Sequence, residues 1–480
     1  MYRDLREFIG LVGEMGLLRH IEGADAHLEI GGITDVAASR PESPMLLFDS
    51  IVGYPRGFRV LTNATFNIRM AAVALGVDPN LTPLEALKAW KAKSQATKPI
   101  PPTIVKDAAF LENSMRGSEV DLDRFPVPLW REQDGGPYIG TSALVISRDP
   151  QSDWTNIAIY RVQKHSKNRV TVQFDHRGRH GYMIGQKYWN LGKPCPIAIA
   201  VGEDPSLFFA AIEAAPEGKS EYEIAGGLKQ TPIEVYPGPE TGILIPAYSE
   251  IVLEGLLLPP DQEMLMEGPM GEVTGYYAGG ARPSPVVEVT AVHYRNDPIL
   301  YGAPPLKPPR GANFGPFRAA RLWSVLETAG ITDIVGVWPH HSSMMFVIAL
   351  KQRYPGHAKR AGLIAAANAY MGRLVVVVDE DVDPSSLNDV IWAVLTRCEP
   401  SESVDIIKNG WSSYLDPRIS PDDKARGVTT NSKLIIEACR PFSWQDKFPA
   451  TTALSPEAAR QIEEKWKVAL DGGSNSAGAG

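Results

Sequence analysis

The chain has 480 residues, 44% hydrophobic and 22% charged, which is typical of a globular protein long enough for two or three domains. Its formal net charge of −8 argues against nucleic acid as the main partner, because phosphate binding needs a clustered basic surface. The three cysteines, Cys195, Cys398 and Cys439, form no CxxC pair, which indicates a reducing compartment without a disulfide framework or a cysteine zinc site.

The first predicted element is an amphipathic helix. Leu5, Phe8, Ile9, Val12 and Met15 recur with helical spacing, and charged residues interrupt any apolar core of the signal-peptide type. No apolar run along the chain reaches the length that crosses a bilayer. The sequence therefore predicts a cytoplasmic protein without a membrane partner.

Composition changes along the chain predict successive domains of a mixed, α+β fold. Residues 1–115 combine helical stretches with strands such as Met45–Asp49 and form an N-terminal α/β domain. Residues 116–305 contain short strands punctuated by Gly, Pro and Asp, which is typical of a barrel or sandwich. Helices near Tyr182–Leu191 and Leu207–Ala215 interrupt these strands.

The last third predicts a second α/β domain. A Pro-rich linker at residues 306–316 leads into residues 317–471, where helices alternate with strands. The apolar run Leu374–Asp379 predicts a strand covered on both faces, and Pro456–Leu470 predicts a terminal helix. The Gly/Ser/Ala-rich tail, residues 472–480, is expected to be flexible.

The most informative stretch begins at Glu267 and ends, five positions later, at Glu272. Gly268, Pro269 and Gly271 exclude a regular helix, so this segment is predicted to be a bent loop. A bend can turn both carboxylates toward one point, where one would stay protonated and act as a general acid. Taken alone, the pattern is also typical of a solvated turn with two exposed acids.

A second stretch, Asp153–Arg161, is predicted to be a strand. A flat strand would send Asn156 and Arg161 to opposite faces, about 16 Å apart. They could serve two ends of one long ligand only if a bulge or strand twist re-aims one of them. Alone, the pattern favours an ordinary half-exposed strand.

Two further stretches contribute polar groups. Residues 173–180 offer His176 as a nitrogen ligand and Arg177 and Arg179 for phosphate. Residues 218–228 supply one more carboxylate, Glu221. In isolation these are a polar turn and a surface acid.

Taken together, the four stretches carry the motifs NxxxxR, DHRG, SEYxxAG and EGPxGExTGYY in this order. This set resembles the UbiD family of reversible decarboxylases, and Val377–Asp383 and Asn388–Arg397 look like the C-terminal domain of that family. The resemblance implies a central split β-barrel that binds flavin and is related to flavin reductases. It also implies non-oxidative decarboxylation of an aromatic, heteroaromatic or α,β-unsaturated carboxylic acid through a covalent prenylated-FMN adduct.

The resemblance also assigns residues to roles. Arg161, Glu267 and Glu272 match the catalytic set, with Glu272 as the proton donor. Asn156, His176 and Glu221 match the ligands of a manganese-type ion that clamps the cofactor phosphate, and their oxygen and nitrogen donors suit such a cation. The matched cofactor-binding positions are Asn156, Ile159, Tyr160, Arg161, Asp175, His176, Arg177, Gly178 and Glu221.

An external cofactor is needed on chemical grounds. Loss of CO2 from an sp2 carbon leaves a localised carbanion that no side chain can delocalise, so an electron sink has to be supplied. The resemblance implies prenylated FMN, Mn2+ or a similar divalent metal, and K+ as a further candidate. It implies an FMN prenyltransferase as cofactor supplier and a homodimer or homohexamer formed through the third domain.

The substrate is left open by the sequence. Residues 301–317, from Tyr301 to Phe317, and the segment Trp338–Ser342 are predicted to line the pocket, with Lys307 or Arg310 near a second polar group of the substrate. Arg373 is expected to be a basic phosphate contact.

Two other functions stay open at this stage. One is a flavin-binding subunit without decarboxylase activity. The other is a metal-dependent hydrolase that uses His176 and Glu221.

Overall fold

The fold is seen in a computed structural model, which describes residues 2–174, 178–212, 215–308, 315–369 and 371–470. It contains two units, residues 1–439 and residues 440–480, and each is described by itself. Within the described ranges, no helix combines the length and the apolar character needed to span a bilayer. The predicted tail at 472–480 and the linker residues 309–314 lie outside the described residues.

The N-terminal segment begins with the predicted amphipathic helix. Asp4 caps this helix by accepting a hydrogen bond from the backbone N–H of Glu7 at 3.0 Å, and Leu5, Phe8, Ile9 and Val12 are buried, which confirms the prediction. The elements of this segment are α1 (Leu5–Glu14), β1 (Leu18–Ala24), α2 (Glu29–Ala38), β2 (Met45–Ile51), β3 (Arg59–Thr62), α3 (Ile68–Ala74) and α4 (Pro83–Ala96).

The middle segment is rich in short strands, as its turn residues predict. Its elements are β4 (Thr103–Ile104), β5 (Asn113–Arg116), β6 (Tyr138–Gly140), β7 (Leu144–Arg148), β8 (Thr155–Ile159), β9 (Val162–Lys164), β10 (Arg169–Val172), α5 (His180–Asn190), β11 (Cys195–Val201), α6 (Pro205–Ile212), α7 (Glu221–Lys229), β12 (Glu234–Pro237), β13 (Leu244–Pro246), β14 (Ile251–Leu257), β15 (Met264–Glu267), β16 (Arg282–Tyr294) and β17 (Ile299–Gly302).

Most of these strands form one ten-stranded sheet. Its path runs β6-β9-β10-β16-β14-β11-β7-β8, and β5 and β15 pair with other parts of the long strand β16. Strand β17 instead joins β1, β2 and β3 in a four-stranded sheet, while β4, β12 and β13 form a small third sheet. Alternate side chains of the large sheet fill a core with residues such as Val162, Ile197 and Val289, all nearly inaccessible to solvent.

The chain crosses from one end of the large sheet to near the other end through only two residues. Strand β8 pairs with β7, whereas β9 pairs with β6 and β10. Because β8 ends at Ile159 and β9 begins at Val162, these points are at most about 11 Å apart. The sheet therefore curls into a half-barrel, and we call Tyr160 and Arg161, where its ends meet, the seam. The strand predicted to continue through Arg161 ends at Ile159, so that part of the prediction is wrong.

The C-terminal part of the first unit is an α/β layer. Its five-stranded sheet has the order β18-β19-β20-β22-β21. Its elements are α8 (Gly315–Thr328), β18 (Ile334–His340), β19 (Met345–Leu350), α9 (His357–Asn368), β20 (Leu374–Asp379), α10 (Leu387–Arg397), α11 (Pro400–Ser403), β21 (Val404–Trp411), α12 (Pro421–Ala425) and β22 (Thr430–Ala438).

Strand β20 is covered on both faces, as its apolar run predicts. Val375 and Val377 belong to the core that includes helix α9, and Val376 and Val378 belong to the core that includes helix α10. Each buried valine contributes about 1.5–3 kcal/mol relative to an exposed position. The second unit contains a 3-10 helix (Phe442–Lys447) and α13 (Pro456–Leu470), whose bounds match the predicted terminal helix.

Candidate active site

The side chain of Arg161 projects from the seam onto two carboxylates. Its Nε and Nη2 donate to Oε1 and Oε2 of Glu267, both at 2.8 Å, and its Nη1 donates to Oε1 of Glu272 at 2.6 Å. A planar guanidinium group is suited to this arrangement. Its Nε and Nη2 edge binds one carboxylate in a bidentate manner, and Nη1 binds a second carboxylate. The structure thus brings together the three residues that the sequence assigned to one catalytic set.

The two carboxylates differ in their exposure to solvent. The side chain of Glu267 is completely buried, whereas that of Glu272 keeps 10% of its surface accessible. Burial alone would lower the pKa of Arg161, but the charges and hydrogen bonds of both carboxylates outweigh it and raise this pKa above its ordinary value. Arg161 is therefore a permanent cation between them.

The loop after β15 positions both glutamates. Glu267 is the last residue of β15, and Gly268 follows with φ of 86°, a left-handed conformation that glycine adopts without steric cost. The backbone N–H of Glu272 donates to the carbonyl of Tyr276 at 2.9 Å, and that of Gly275 donates to the carbonyl of Glu272 at 2.8 Å. The chain therefore reverses direction around Glu272, as the bent-loop prediction requires.

A second segment, Asp134–Tyr138, forms hydrogen bonds with the backbone of this loop. It was not identified from the sequence. The backbone N–H of Gly135 donates to the carbonyl of Pro269 at 2.7 Å, and Oδ1 of Asp134 accepts from the N–H of Gly271 at 3.4 Å. A Cβ at position 135 would lie 1.9 Å from the carbonyl oxygen of Gly268, so only glycine permits this approach. The Gly135-Gly136 pair was the available signal, because paired glycines mark close backbone contacts as well as turns.

Two buried side chains contact Glu267 and the residue that follows it. The phenol of Tyr138 donates to Oε1 of Glu267 at 2.8 Å, and Oε1 of Gln163 accepts from the N–H of Gly268 at 2.8 Å. Burial, reinforced by the charge of Glu267, raises the pKa of Tyr138 far above its ordinary value, so the phenol remains a donor. Neither Tyr138 nor Gln163 was identified from the sequence.

The C-terminal layer contacts the other side of the loop. Nζ of Lys424 donates to the carbonyl of Ala278 at 2.6 Å and lies 5.3 Å from the ring centre of Tyr414. Burial lowers the pKa of Lys424, whereas Asp416 and Glu272 act in the opposite direction. This lysine was also missed, since no local pattern connects it with residues 146 positions earlier.

A cavity of about 420 Å³ adjoins the same loop. Arg373, the expected phosphate contact, lines it and forms an ion pair with Asp416. The full set of lining residues is Thr274, Tyr276, Met344, Met371, Arg373, Ser412, Asp416, Pro417 and Arg418.

Of the residues predicted to line the substrate pocket, Tyr301 lies elsewhere. It belongs to β17 of the N-terminal four-stranded sheet, is 1% exposed and packs in the core, so its prediction as a pocket residue is wrong. Lys307 is exposed, and Arg310 lies outside the described residues. In the other predicted pocket segment, Trp338–Ser342, Nε2 of His340 lies 3.0 Å from the carbonyl oxygen of Pro384.

Two of the three predicted metal ligands lie in elements that contact each other. Oε2 of Glu221 accepts from the backbone N–H of Ile157 at 2.8 Å, so this carboxylate contacts the backbone of the residue that follows Asn156. Both side chains are buried, and Nδ2 of Asn156 has no hydrogen-bond partner among the described residues. Burial raises the pKa of Glu221 to about 7. A buried carboxylate suits a cation at this point, whereas the unpaired Nδ2 of Asn156 is a donor and suits an anionic oxygen such as that of a phosphate.

Of the remaining predicted cofactor positions, Ile159 directly precedes the seam and Tyr160 belongs to it. Ile159 ends β8, and Tyr160 is buried with its ring 4.8 Å from that of Phe174. Gly178 lies in the turn before helix α5. Asp175, His176 and Arg177 lie outside the described residues.

Three family models together match most of the chain. They are the N-terminal, Rift-related and C-terminal domains of 3-octaprenyl-4-hydroxybenzoate carboxy-lyase, UbiD, and they match residues 9–90, 103–308 and 314–438. Pyrrole-2-carboxylic acid decarboxylase from Pseudomonas aeruginosa is 31% identical over 96% of this chain and 97% of its own length.

Solved structures show the same fold. Vanillic acid decarboxylase from Sedimentibacter hydroxybenzoicus, in its open form, superposes with a TM-score of 0.84 at 28% identity, covering 98% of this chain and 99% of the other. The UbiD-class enzyme HmfF from Pelotomaculum thermopropionicum, in complex with FMN, gives 0.84 at 28% identity, covering 95% and 98%. An evolved dimeric form of HmfF in complex with prFMN gives 0.81 at 28% identity, covering 96% and 98%.

Proposed function

The chain belongs to the UbiD family of carboxy-lyases and is a decarboxylase of that class; from this premise we propose that it removes CO2 from an aromatic, heteroaromatic or α,β-unsaturated carboxylic acid with the aid of prenylated FMN. The observation that carries the proposal is the buried set of Arg161, Glu267 and Glu272 at the seam of the half-barrel. The relatives that act on pyrrole-2-carboxylic and vanillic acids support an aromatic or heteroaromatic substrate. The proposal includes the finer description of the half-barrel as a split β-barrel of the flavin-reductase type.

Each residue of the set has a distinct task in this proposal. Arg161 orients the substrate carboxylate and holds the two glutamates in place. Glu272, the more exposed acid, donates its proton to the carbon that CO2 leaves. Glu267 stays ionised and balances the charge of Arg161. Bound prenylated FMN would supply the electron sink that the side chains lack.

We assign the cofactor phosphate and a divalent metal such as Mn2+ to the region of Asn156 and Glu221, with His176 as the third ligand. The contact of Glu221 with the backbone next to Asn156 supports the metal, and the unpaired Nδ2 of Asn156, a hydrogen-bond donor, supports a phosphate oxygen. Ile159, Tyr160, Asp175, Arg177 and Gly178 complete the proposed cofactor contacts, and K+ is retained as an additional candidate ion. An FMN prenyltransferase would have to supply the mature cofactor.

The decisive experiment is CO2 release by protein produced together with an FMN prenyltransferase. Purified protein should be yellow and should decarboxylate at least one member of a panel of pyrrole-2-carboxylate, vanillate, hydroxybenzoates, cinnamate-like acids and an aryl-CoA ester. Glu272→Gln should abolish turnover while leaving flavin and metal bound, because it removes only the transferable proton. Turnover that persists in this variant would refute the role of Glu272.

The same experiment separates the two alternatives. A flavin-binding subunit without decarboxylase activity would be yellow but inactive on every acid, although the intact Arg161 and glutamate contacts argue against it. A metal-dependent hydrolase would be colourless and would keep its metal without flavin. Flavin absorbance and metal content therefore distinguish the three outcomes.

We further propose that the protein is a homodimer or homohexamer whose contacts lie in residues 317–471. Along helix α10, Leu387, Ile391 and Leu395 are 38%, 46% and 78% exposed at a spacing of four residues, which leaves an apolar stripe uncovered. In the second unit, Ile462 and Trp466 of α13 are 45% and 46% exposed at the same spacing. A second copy of the chain would cover such stripes.

A further inference from the structure

Tyr138 is a buried residue whose hydroxyl group contacts the catalytic set. It opens strand β6, its side chain is inaccessible to solvent, and its hydroxyl donates to Oε1 of Glu267 at 2.8 Å. The same carboxylate accepts two bonds from Arg161, so Glu267 receives three hydrogen bonds from two residues. Three donors stabilise a carboxylate far more than a neutral carboxyl group, which can accept fewer bonds at the same oxygens.

The position of Tyr138 is itself fixed. Oε1 of Gln163 lies 3.4 Å from the tyrosine hydroxyl and also accepts from the N–H of Gly268. Strands β6 and β9 pair through Tyr138 and Gln163, which locks both side chains on the side facing the loop. The phenol is therefore held in place by the sheet rather than by the carboxylate it contacts.

We propose that Tyr138 is a positioning residue that fixes Glu267 as the ionised member of the glutamate pair and thereby leaves the transferable proton on Glu272. This inference rests on the proposed decarboxylase function and concerns the same site. Glu272 transfers its proton to the carbon that loses CO2, becomes a carboxylate and regains a proton from solvent through its exposed edge. Glu267 stays charged throughout, so Arg161 never loses its counter-ion.

The pH dependence of the reaction reports this role. Four further charged or titratable groups surround the pair. Burial lowers the pKa of His165, whereas the charge of Glu267 raises it. The charge of Asp134 raises the pKa of Tyr138, and the charge of Glu272 raises that of Lys424. The charged and titratable groups around Glu267 are thus Arg161, Glu272, Tyr138, His165, Asp134, Lys424 and Arg282, which is paired with it across β15 and β16.

The test compares pH profiles of kcat and kcat/KM for the holoenzyme and for Tyr138→Phe. In Tyr138→Phe, the ionised Glu267 loses one hydrogen-bond donor. The pair of glutamates, which carries one proton in the active form, therefore takes up a second proton more readily. Its acid limb should move upward by about one to two pH units, the range expected for one hydrogen bond to a charged group. The basic limb, where Glu272 loses its own proton, should not move. In the parent enzyme the bond from Tyr138 to Glu267 is the same before and after that step, so its loss does not affect the step.

Controls separate this role from a structural one. Tyr2→Phe removes another buried tyrosine hydroxyl, which donates to the carbonyl of Ala74 at 3.1 Å, and should leave both limbs in place. The shift caused by Tyr138→Phe should persist in a His165→Gln background, which removes the histidine that Glu267 influences. A ring-fluorinated tyrosine at position 138 keeps the ring volume and donates more strongly, so its acid limb should move downward.

An even loss of activity at all pH values, with both limbs unmoved, would overturn the proposal. If Tyr138→Phe does not fold, the direction in which the acid limb of the fluorinated variant moves decides between the two roles. If the protein decarboxylates no acid, the proposed function fails, but infrared titration of the carboxyl bands in flavin-loaded protein still tests Tyr138. Identical carboxyl titrations in the parent and Tyr138→Phe would then refute the role of Tyr138 alone.

Discussion

Replacing Gly135 by alanine tests whether the position of the Glu267–Glu272 loop determines the rate. The added Cβ would lie 1.9 Å from the carbonyl oxygen of Gly268 and 2.4 Å from its carbonyl carbon. Backbone atoms cannot rotate away as the end of a side chain can. Even to reach 3.0 Å, the lower limit for real Cβ contacts, the oxygen would have to move by about 1.1 Å, the difference between the two distances.

This displacement reaches the catalytic set directly, because Glu267 precedes Gly268. A misplacement of about 1 Å at a reacting group costs on the order of 100-fold in rate, so kcat/KM should fall by about that factor. Gly135 is not among the glycines with positive φ, so alanine can adopt its backbone conformation. Overpacking typically costs about 1–3 kcal/mol of stability, so thermal unfolding is measured to establish that the variant is folded.

The assay is the initial rate of CO2 release, measured beside flavin absorbance and thermal unfolding. Gly10→Ala is the matched control, since a Cβ at position 10 of helix α1 meets nothing within 4 Å. A Gly135→Ala enzyme with normal flavin content and the rate of the parent would refute the reasoning. It would mean that the segment Asp134–Tyr138 does not control the position of the glutamates.

Three other perturbations follow from the contacts. Arg161→Lys replaces a fork that makes three hydrogen bonds by one ammonium group, so kcat/KM should fall at least about 100-fold in CO2-release assays while flavin stays bound. Since burial raises the pKa of Glu221 to about 7, protons should compete with Mn2+ below that pH, and isothermal titration should show weaker binding at pH 6 than at pH 8, with a smaller difference in Glu221→Gln. Leu395→Glu should lower the mass measured by light scattering by disrupting the oligomer, because it places a charge in the apolar stripe of α10.

The sequence predicted those elements whose burial follows a regular period. Helix α1 and strand β20 have such patterns, and their observed bounds agree closely with the predicted ones. Helix α7 was missed because Gly226 and Gly227 resemble a loop. Both glycines are required by close contacts instead, since a Cβ at either position would come within 2.6 Å of a backbone carbonyl oxygen. Strands β21 and β22 were missed because polar residues interrupt their alternation.

The residues of the candidate site likewise divide into those that the sequence predicted and those that it did not. Glu267, Glu272 and Arg161 could be named in advance because their motifs together resemble those of the UbiD family. Tyr138 could not, because its contact with Glu267 joins residues 129 positions apart and depends on which strands pair. Motifs indicate the proposed reacting groups, whereas the groups that hold them in place are determined by sheet topology.

The interruption of the half-barrel at the seam also constrains what the site can bind. In a continuous strand, Asn156 and Arg161 would point to opposite faces, because they are an odd number of positions apart. Strand β8 ends at Ile159 and the chain leaves the ladder before Arg161, so this alternation does not apply. The two residues can then face a common space, yet five positions of chain keep them up to about 16 Å apart. A ligand held by the proposed metal at Asn156 and by Arg161 would therefore span at most about 16 Å, a length that an elongated ligand such as a flavin nucleotide can bridge.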